Sequence, residues 1–156
     1  MEKFIENLNK ASAMLQTADH LLYVTYPLVR DKRILLKILT EIYEAVFSAV
    51  NSILQYEYIY KRIELSKNPK ENFIIFKEKC APRFNISEEQ TSRIVEIFRI
   101  TEKHKQSPIE FLKGNKLIIM SDSVQTDAVT IEKMKEYLFL AKEIIKKAEI
   151  TIKNRG

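Results

Sequence analysis

Three stretches of this chain carry apolar residues in alternating steps of four and three. Phe4, Leu8, Ala11, Leu15, Ala18 and Leu22 form the first series. Leu35, Leu39, Ile42, Val46, Ala49, Ile53, Tyr56 and Tyr60 form the second, and Ile131, Met134, Leu138, Ala141, Ile145, Ala148 and Ile152 the third. Residues three and four apart share one face of an α-helix, so each series is a single apolar stripe that must be buried against another element. Three stripes with a common seven-residue repeat favour near-antiparallel packing in a bundle. The expected fold is all-α: an up-and-down bundle of four to five helices, one domain over residues 1–156, with room for a short β-hairpin before the last helix.

The breakers divide the rest. Only two glycines and four prolines occur in 156 residues, too few for an all-β chain and suited to few, long elements. The first helix is expected over Glu2 to Tyr26, ended by Pro27. The second is expected over Asp31 to Leu65, with Asp31 as N-cap. A second apolar row, Leu36, Tyr43, Phe47, Val50 and Leu54, widens its stripe and makes it the central helix and a candidate dimer interface.

After a loop at Ser66–Pro69, the pattern reads as a short helix over Lys70 to Lys79 and a break at Cys80–Arg83. A capping box of Ser87 and Gln90 opens a helix that runs to about Lys105 and stops at Ser107-Pro108. Pro108 to Lys113 reads as one helical turn, Gly114-Asn115 as a turn, Leu117 to Met120 as extended, and Ser121 to Thr126 as a loop. The final helix is expected over Thr130 to Asn154, with Thr130 as N-cap.

Composition excludes several functions. Cys80 is the single cysteine, so there is no internal disulfide and no cysteine-based zinc site. The N-terminus has no apolar core followed by a small-residue cleavage site, and the longest charge-free run in the middle of the chain, Ala45 to Tyr56, is too short to span a bilayer. The expected location is cytoplasmic, with no membrane partner. No Gly-rich phosphate loop, nucleophile elbow, His-Glu-x-x-His or Glu-x-x-His pair is present, so no cofactor or metal is expected. The net charge of +5 fits either a solvated Lys/Glu surface or a basic nucleic-acid surface.

One segment points to chemistry. In Arg99-Ile100-Thr101-Glu102-Lys103-His104 an arginine and a histidine lie five positions apart near a helix end. Such a pair can cleave RNA without metal: the histidine moves a proton at the 2′-hydroxyl or the leaving oxygen, and the arginine holds the phosphate charge. The candidate catalytic set is Arg99, His104 and the intervening Glu102. Lys103, Lys105, Lys113 and Lys116, with Arg83, are candidate phosphate contacts. On an ideal helix Arg99 and His104 stand about 140° apart, so they converge only if the helix frays or a second subunit contributes its copy. The plain alternative is a cation at the helix C-terminus, His104, and an Arg99–Glu102 pair one turn apart. Two weaker candidates are His20 beside Asp19, and Tyr56, Tyr58 and Tyr60 ahead of Lys61 and Arg62. The tyrosine segment could clamp a single strand or simply pack the core.

A helical bundle with Arg-x4-His, then a short extended segment with a Gly turn, then one long helix resembles the HEPN superfamily (higher eukaryotes and prokaryotes nucleotide-binding domain). The resemblance is architectural over most of the chain and specific at Arg99 and His104. It implies a four- to five-helix bundle, a homodimer that brings two motifs into one cleft, RNA as substrate or ligand, often ribonuclease activity, and a minimal nucleotidyltransferase as antitoxin partner. Ile100 stands where the family commonly has Asn or Asp, and residues around Phe73 to Pro82 are additional. The competing expectation is a non-catalytic helical interaction module that dimerises through its second helix.

Overall fold

The structure, a computed structural model, describes residues 2–106, 109–120 and 126–155. In chain order its elements are α1 (Lys3–His20), a π-helical turn (Leu21–Thr25), α2 (Tyr26–Val29), α3 (Lys32–Ile59), α4 (Pro69–Ile75) with its own π turn (Phe76–Cys80), α5 (Glu88–Gln106), strands β1 (Ile109–Lys113), β2 (Lys116–Met120) and β3 (Thr126–Thr130), and α6 (Ile131–Arg155). It is a helical bundle with a small antiparallel meander, in the order β1-β2-β3, inserted before the last helix.

The stripes form the core. All six residues of the first series are buried, as are Leu35, Leu39, Ile42, Val46, Ala49, Ile53 and Tyr56 of the second. In the third, Met134, Leu138, Ala141, Ile145, Ala148 and Ile152 are buried and Ile131 is partly covered. Helix α3 is central and packs against α1, α6 and α5. Much of its second row is covered within the chain: Val50 and Leu54 are buried, Leu36 and Tyr43 are partly buried, and Tyr43 and Phe47 meet Phe98 of α5 edge-on, while Phe47 keeps an exposed side. The apolar width that pointed to a dimer is therefore covered largely by the chain itself. Each fully buried Leu or Ile contributes roughly 1.5–3 kcal/mol. Buried Ser52 of α3 donates to the Phe4 carbonyl at 2.6 Å, which satisfies an α1 backbone group inside the core.

The caps lie where the sequence puts them. Asp31 accepts from the Arg33 N–H at 2.9 Å. Ser87 and Gln90 exchange bonds of 3.0 and 3.1 Å, and Thr130 accepts from the Lys133 N–H at 3.0 Å.

Four boundaries differ from expectation. Pro27 does not end the first helix. The wider π turn before it, closed by the Tyr26 N–H on the Leu21 carbonyl, carries the chain past the ring to Val29. The stop comes at Arg30, whose φ of 53° is left-handed. Helix α3 ends at Ile59 rather than near Leu65, because Lys61 turns left-handed (φ 59°) and the Arg62 N–H closes on the Glu57 carbonyl at 2.9 Å. Residues 109–113 form a strand rather than a helical turn, turning at Gly114 (φ 62°). Thr126–Thr130 forms a third strand where a loop and the helix start were expected. The expected stop at Ser107-Pro108 and the expected loop at residues 121–125 lie outside the described residues. Among the described residues, no helix is long and apolar enough to cross a membrane.

Ile53→Ala, at a fully buried α3 position, is expected to lower the unfolding free energy by roughly 2–5 kcal/mol. Ser87→Ala is expected to cost about 1 kcal/mol. Urea denaturation of the two variants against wild type measures both.

Candidate functional site

Helix α5 buries Ile94, Ile97, Ile100 and Thr101 toward the bundle. Helical spacing puts His104 one turn beyond Ile100 on that same side, and puts Arg99 and Lys103, four apart, together on another. The meander packs its inner face, alternate residues of each strand, onto this end of the molecule. Glu110 and Leu112 of β1, Leu117 and Ile119 of β2, and Asp127 and Val129 of β3 point inward. The register pairs Glu110 with Ile119 and Ile119 with Asp127, so two acids flank one buried isoleucine in a single row. With strands about 4.8 Å apart, the two acids stand roughly 10 Å from each other.

Both acids grip α5. Asp127 Oδ2 accepts from Lys103 Nζ at 2.6 Å and from Arg99 Nη1 at 3.2 Å. Glu110 Oε2 meets His104 Nδ1, and Lys32 Nζ at the start of α3 donates to the Glu110 carbonyl at 2.9 Å. The Lys32 bond also occupies a backbone acceptor of edge strand β1. The Lys103 ammonium, and after it the Arg99 guanidinium, hold the Asp127 carboxyl below its ordinary value of 3.8 against the opposing effect of partial burial. One turn earlier on α5, the Tyr137 hydroxyl of α6 donates to Glu96 Oε1 at 2.9 Å, and burial, then Glu96, pushes that phenol up.

The structure separates the proposed catalytic set. Helix α5 stays regular through Gln106, so no fraying brings Arg99 and His104 together. Within one chain they lie on different faces, each held by a different acid. The expected Arg99–Glu102 pair is absent: Glu102 accepts from Gln106 at 3.0 Å instead. Of the candidate phosphate contacts, Lys103 is committed to Asp127, and Lys105 sits 4.8 Å from the centre of the Tyr43 ring. Lys113 and Lys116 face each other across the hairpin, both exposed. Arg83 lies against Glu57 at the C-terminal end of α3. His20 lines an open groove of about 460 Å³ between α1 and α6, next to Asp19, which is paired with Lys142.

Sequence reasoning missed Glu110 and Asp127. Each is a lone acid on the inward-facing side of a five-residue strand, and only the strand register reveals what they face. The arrangement can do two things. It fastens the sheet to α5, and it leaves Nε2 as the His104 ring nitrogen not engaged by Glu110, the atom at which a proton could be exchanged. Among the described residues no group of three or more His, Cys, Asp or Glu could hold a metal ion. No protein-family model matches the chain, and no curated protein matches it in sequence.

A carboxylate whose pKa is depressed on folding stabilises the protein above its unfolded value, and that contribution is lost as pH falls through the folded value. Asp127→Asn is therefore expected to lower Tm at pH 7, and the difference from wild type is expected to shrink as pH drops below 3.8. Melting curves across acid pH check this. A Tm difference that persists unchanged at the lowest pH would contradict it.

Proposed function

We propose that this protein acts by binding rather than by catalysis, as a helical interaction module in which the Arg99–His104 segment braces the meander. The supporting observation is the row Glu110–Ile119–Asp127, which spends Arg99, Lys103 and His104 on contacts between elements. A phosphate-holding arginine must stand beside the proton-moving imidazole, and within one chain Arg99 is held by Asp127 on a different face of α5 from His104. The surface offered to a protein partner is the outer face of the meander. Exposed Ile109 and Phe111 lie across from Met120 and Ile118, and exposed Ala128 continues the second of these rows. A contiguous apolar face of this kind marks an interaction site. We place the module in the cytoplasm, in keeping with a single cysteine, Cys80, that has no second cysteine in the sequence to pair with.

A second reading keeps the HEPN-like ribonuclease. What favours it is the His104–Glu110 pair, since a carboxylate on Nδ1 orients an imidazole for proton transfer at Nε2. That reading needs a homodimer in which one copy's Arg99 approaches the other's His104, with RNA as substrate and a nucleotidyltransferase-type antitoxin as partner.

Purified wild type and His104→Ala incubated with small structured RNAs decide between them. The expected outcome is no cleavage by either protein and a lower Tm for His104→Ala. Cleavage by wild type that His104→Ala abolishes would overturn the binding reading.

A further inference from the structure

The far end of α3 carries a second constellation. Glu57, in the last turn of the helix, is fully buried. Two arginines meet its carboxylate. Arg62 Nη1 donates to Oε2 at 2.8 Å, while Arg83 Nε stands 2.8 Å from Oε1 as an ion pair whose N–H is not aligned for a hydrogen bond. A buried carboxylate requires a cationic partner, and one suffices for neutrality. The second guanidinium leaves a surplus positive charge. That surplus is reachable, since the Arg62 side chain is 31% exposed and that of Arg83 48%. Each guanidinium has five N–H donors in a planar fork. With Arg83 Nε turned to Glu57, its terminal amino groups remain to meet a phosphate, which a guanidinium binds through two parallel bonds.

Aromatic surface adjoins this charge. The Arg62 guanidinium lies 5.3 Å from the centre of the Tyr60 ring and 5.8 Å from that of Tyr56. Tyr56 is a core residue, but Tyr60 is 49% exposed and Tyr58 53% exposed. The left-handed turn at Lys61 and the bond from the Arg62 N–H to the Glu57 carbonyl set the two tyrosines and the arginine in one short segment. Fixed phosphate donors next to half-exposed rings are the two parts of a single-strand nucleic-acid platform: charge tracks the backbone and each base lays its π-face on a ring. A phosphorylated peptide would use the arginines, but it does not repeat a phosphate and a flat π-face at every unit as a nucleic-acid strand does.

We infer that Arg62, Arg83 and Tyr60, organised by buried Glu57, form a binding site for single-stranded nucleic acid. The site is independent of the meander. Lys32, the first residue of α3, touches the sheet, and Glu57 lies near the end of that 28-residue helix. At about 1.5 Å per residue the two regions are roughly 40 Å apart.

Fluorescence anisotropy with labelled oligouridine, against a labelled RNA duplex, tests the site. Wild type is expected to bind the single strand in preference to the duplex, with affinity falling as salt rises. Tyr60→Ala and Arg83→Ala are each expected to weaken binding about tenfold or more. Circular dichroism and Tm identify the correctly folded variants; Tyr60→Ala, at a half-exposed position, decides the matter if Arg83→Ala does not fold. Three results overturn the inference: no binding of oligouridine by wild type, equal or tighter binding of the duplex, or unchanged affinity in a correctly folded variant. Loss of binding in the correctly folded variants, with the single strand preferred, upholds it.

Discussion

A helix of 28 residues that is apolar over most of its circumference cannot rest on one neighbour. Helix α3 sets this requirement, and the rest of the chain meets it. Helix α1, continued by the π turn and α2, turns back on it at Arg30 and Asp31 and lines one side; α6 returns from the far end of the sequence to cover another; α5 closes part of the third through Phe98. Both π turns contact α3 as well. One continuous core then runs from Phe4 to Ile152.

The meander follows from what α5 leaves uncovered. Beyond Thr101 the helix outruns the core but still presents His104 inward and Lys103 close beside it. Polar side chains in that position need partners, and a three-stranded sheet with an acid in each outer strand supplies them. Ile119 between the acids keeps the row apolar at its centre. A charge motif near a helix end can thus brace two elements. The residue types and spacing match a catalytic pair, yet the pairing geometry assigns each side chain to a different carboxylate.

What was legible in the sequence is what depends on local spacing. The four-three stripes, the Ser87–Gln90 box and the caps at Asp31 and Thr130 are all interactions within a few residues. The misread points depend on distant partners or on rare backbone states. Pro27 is normally a stop, and only a π turn five residues long evades it. Lys61 adopts a left-handed conformation that glycine usually signals, so α3 ends early without warning. Strand β3 begins at Thr126, which reads as the end of a loop, and ends at Thr130, which reads as a helix cap, and it exists because β2 pairs with it. The candidate site was half legible for the same reason: Arg99 and His104 stand in an evident pattern, whereas Glu110 and Asp127 acquire meaning only through the register.

A common device appears at both ends of the molecule. Asp127 is met by Lys103 and Arg99, and Glu57 by Arg62 and Arg83, two cations to one carboxylate each time. Two such clusters account for part of the net charge of +5 without any nucleic acid. Charge alone therefore does not distinguish the two ends; the surroundings do. At Asp127 the ammonium of Lys103 is mostly buried, and the surplus charge sits on a single exposed arginine beside a sheet. At Glu57 the carboxylate is wholly enclosed, both guanidiniums keep exposed surface, and a half-exposed tyrosine lies under one of them. The first arrangement discharges a structural debt between two elements. The second holds charge and ring together at the surface, and that difference separates a brace from a binding site.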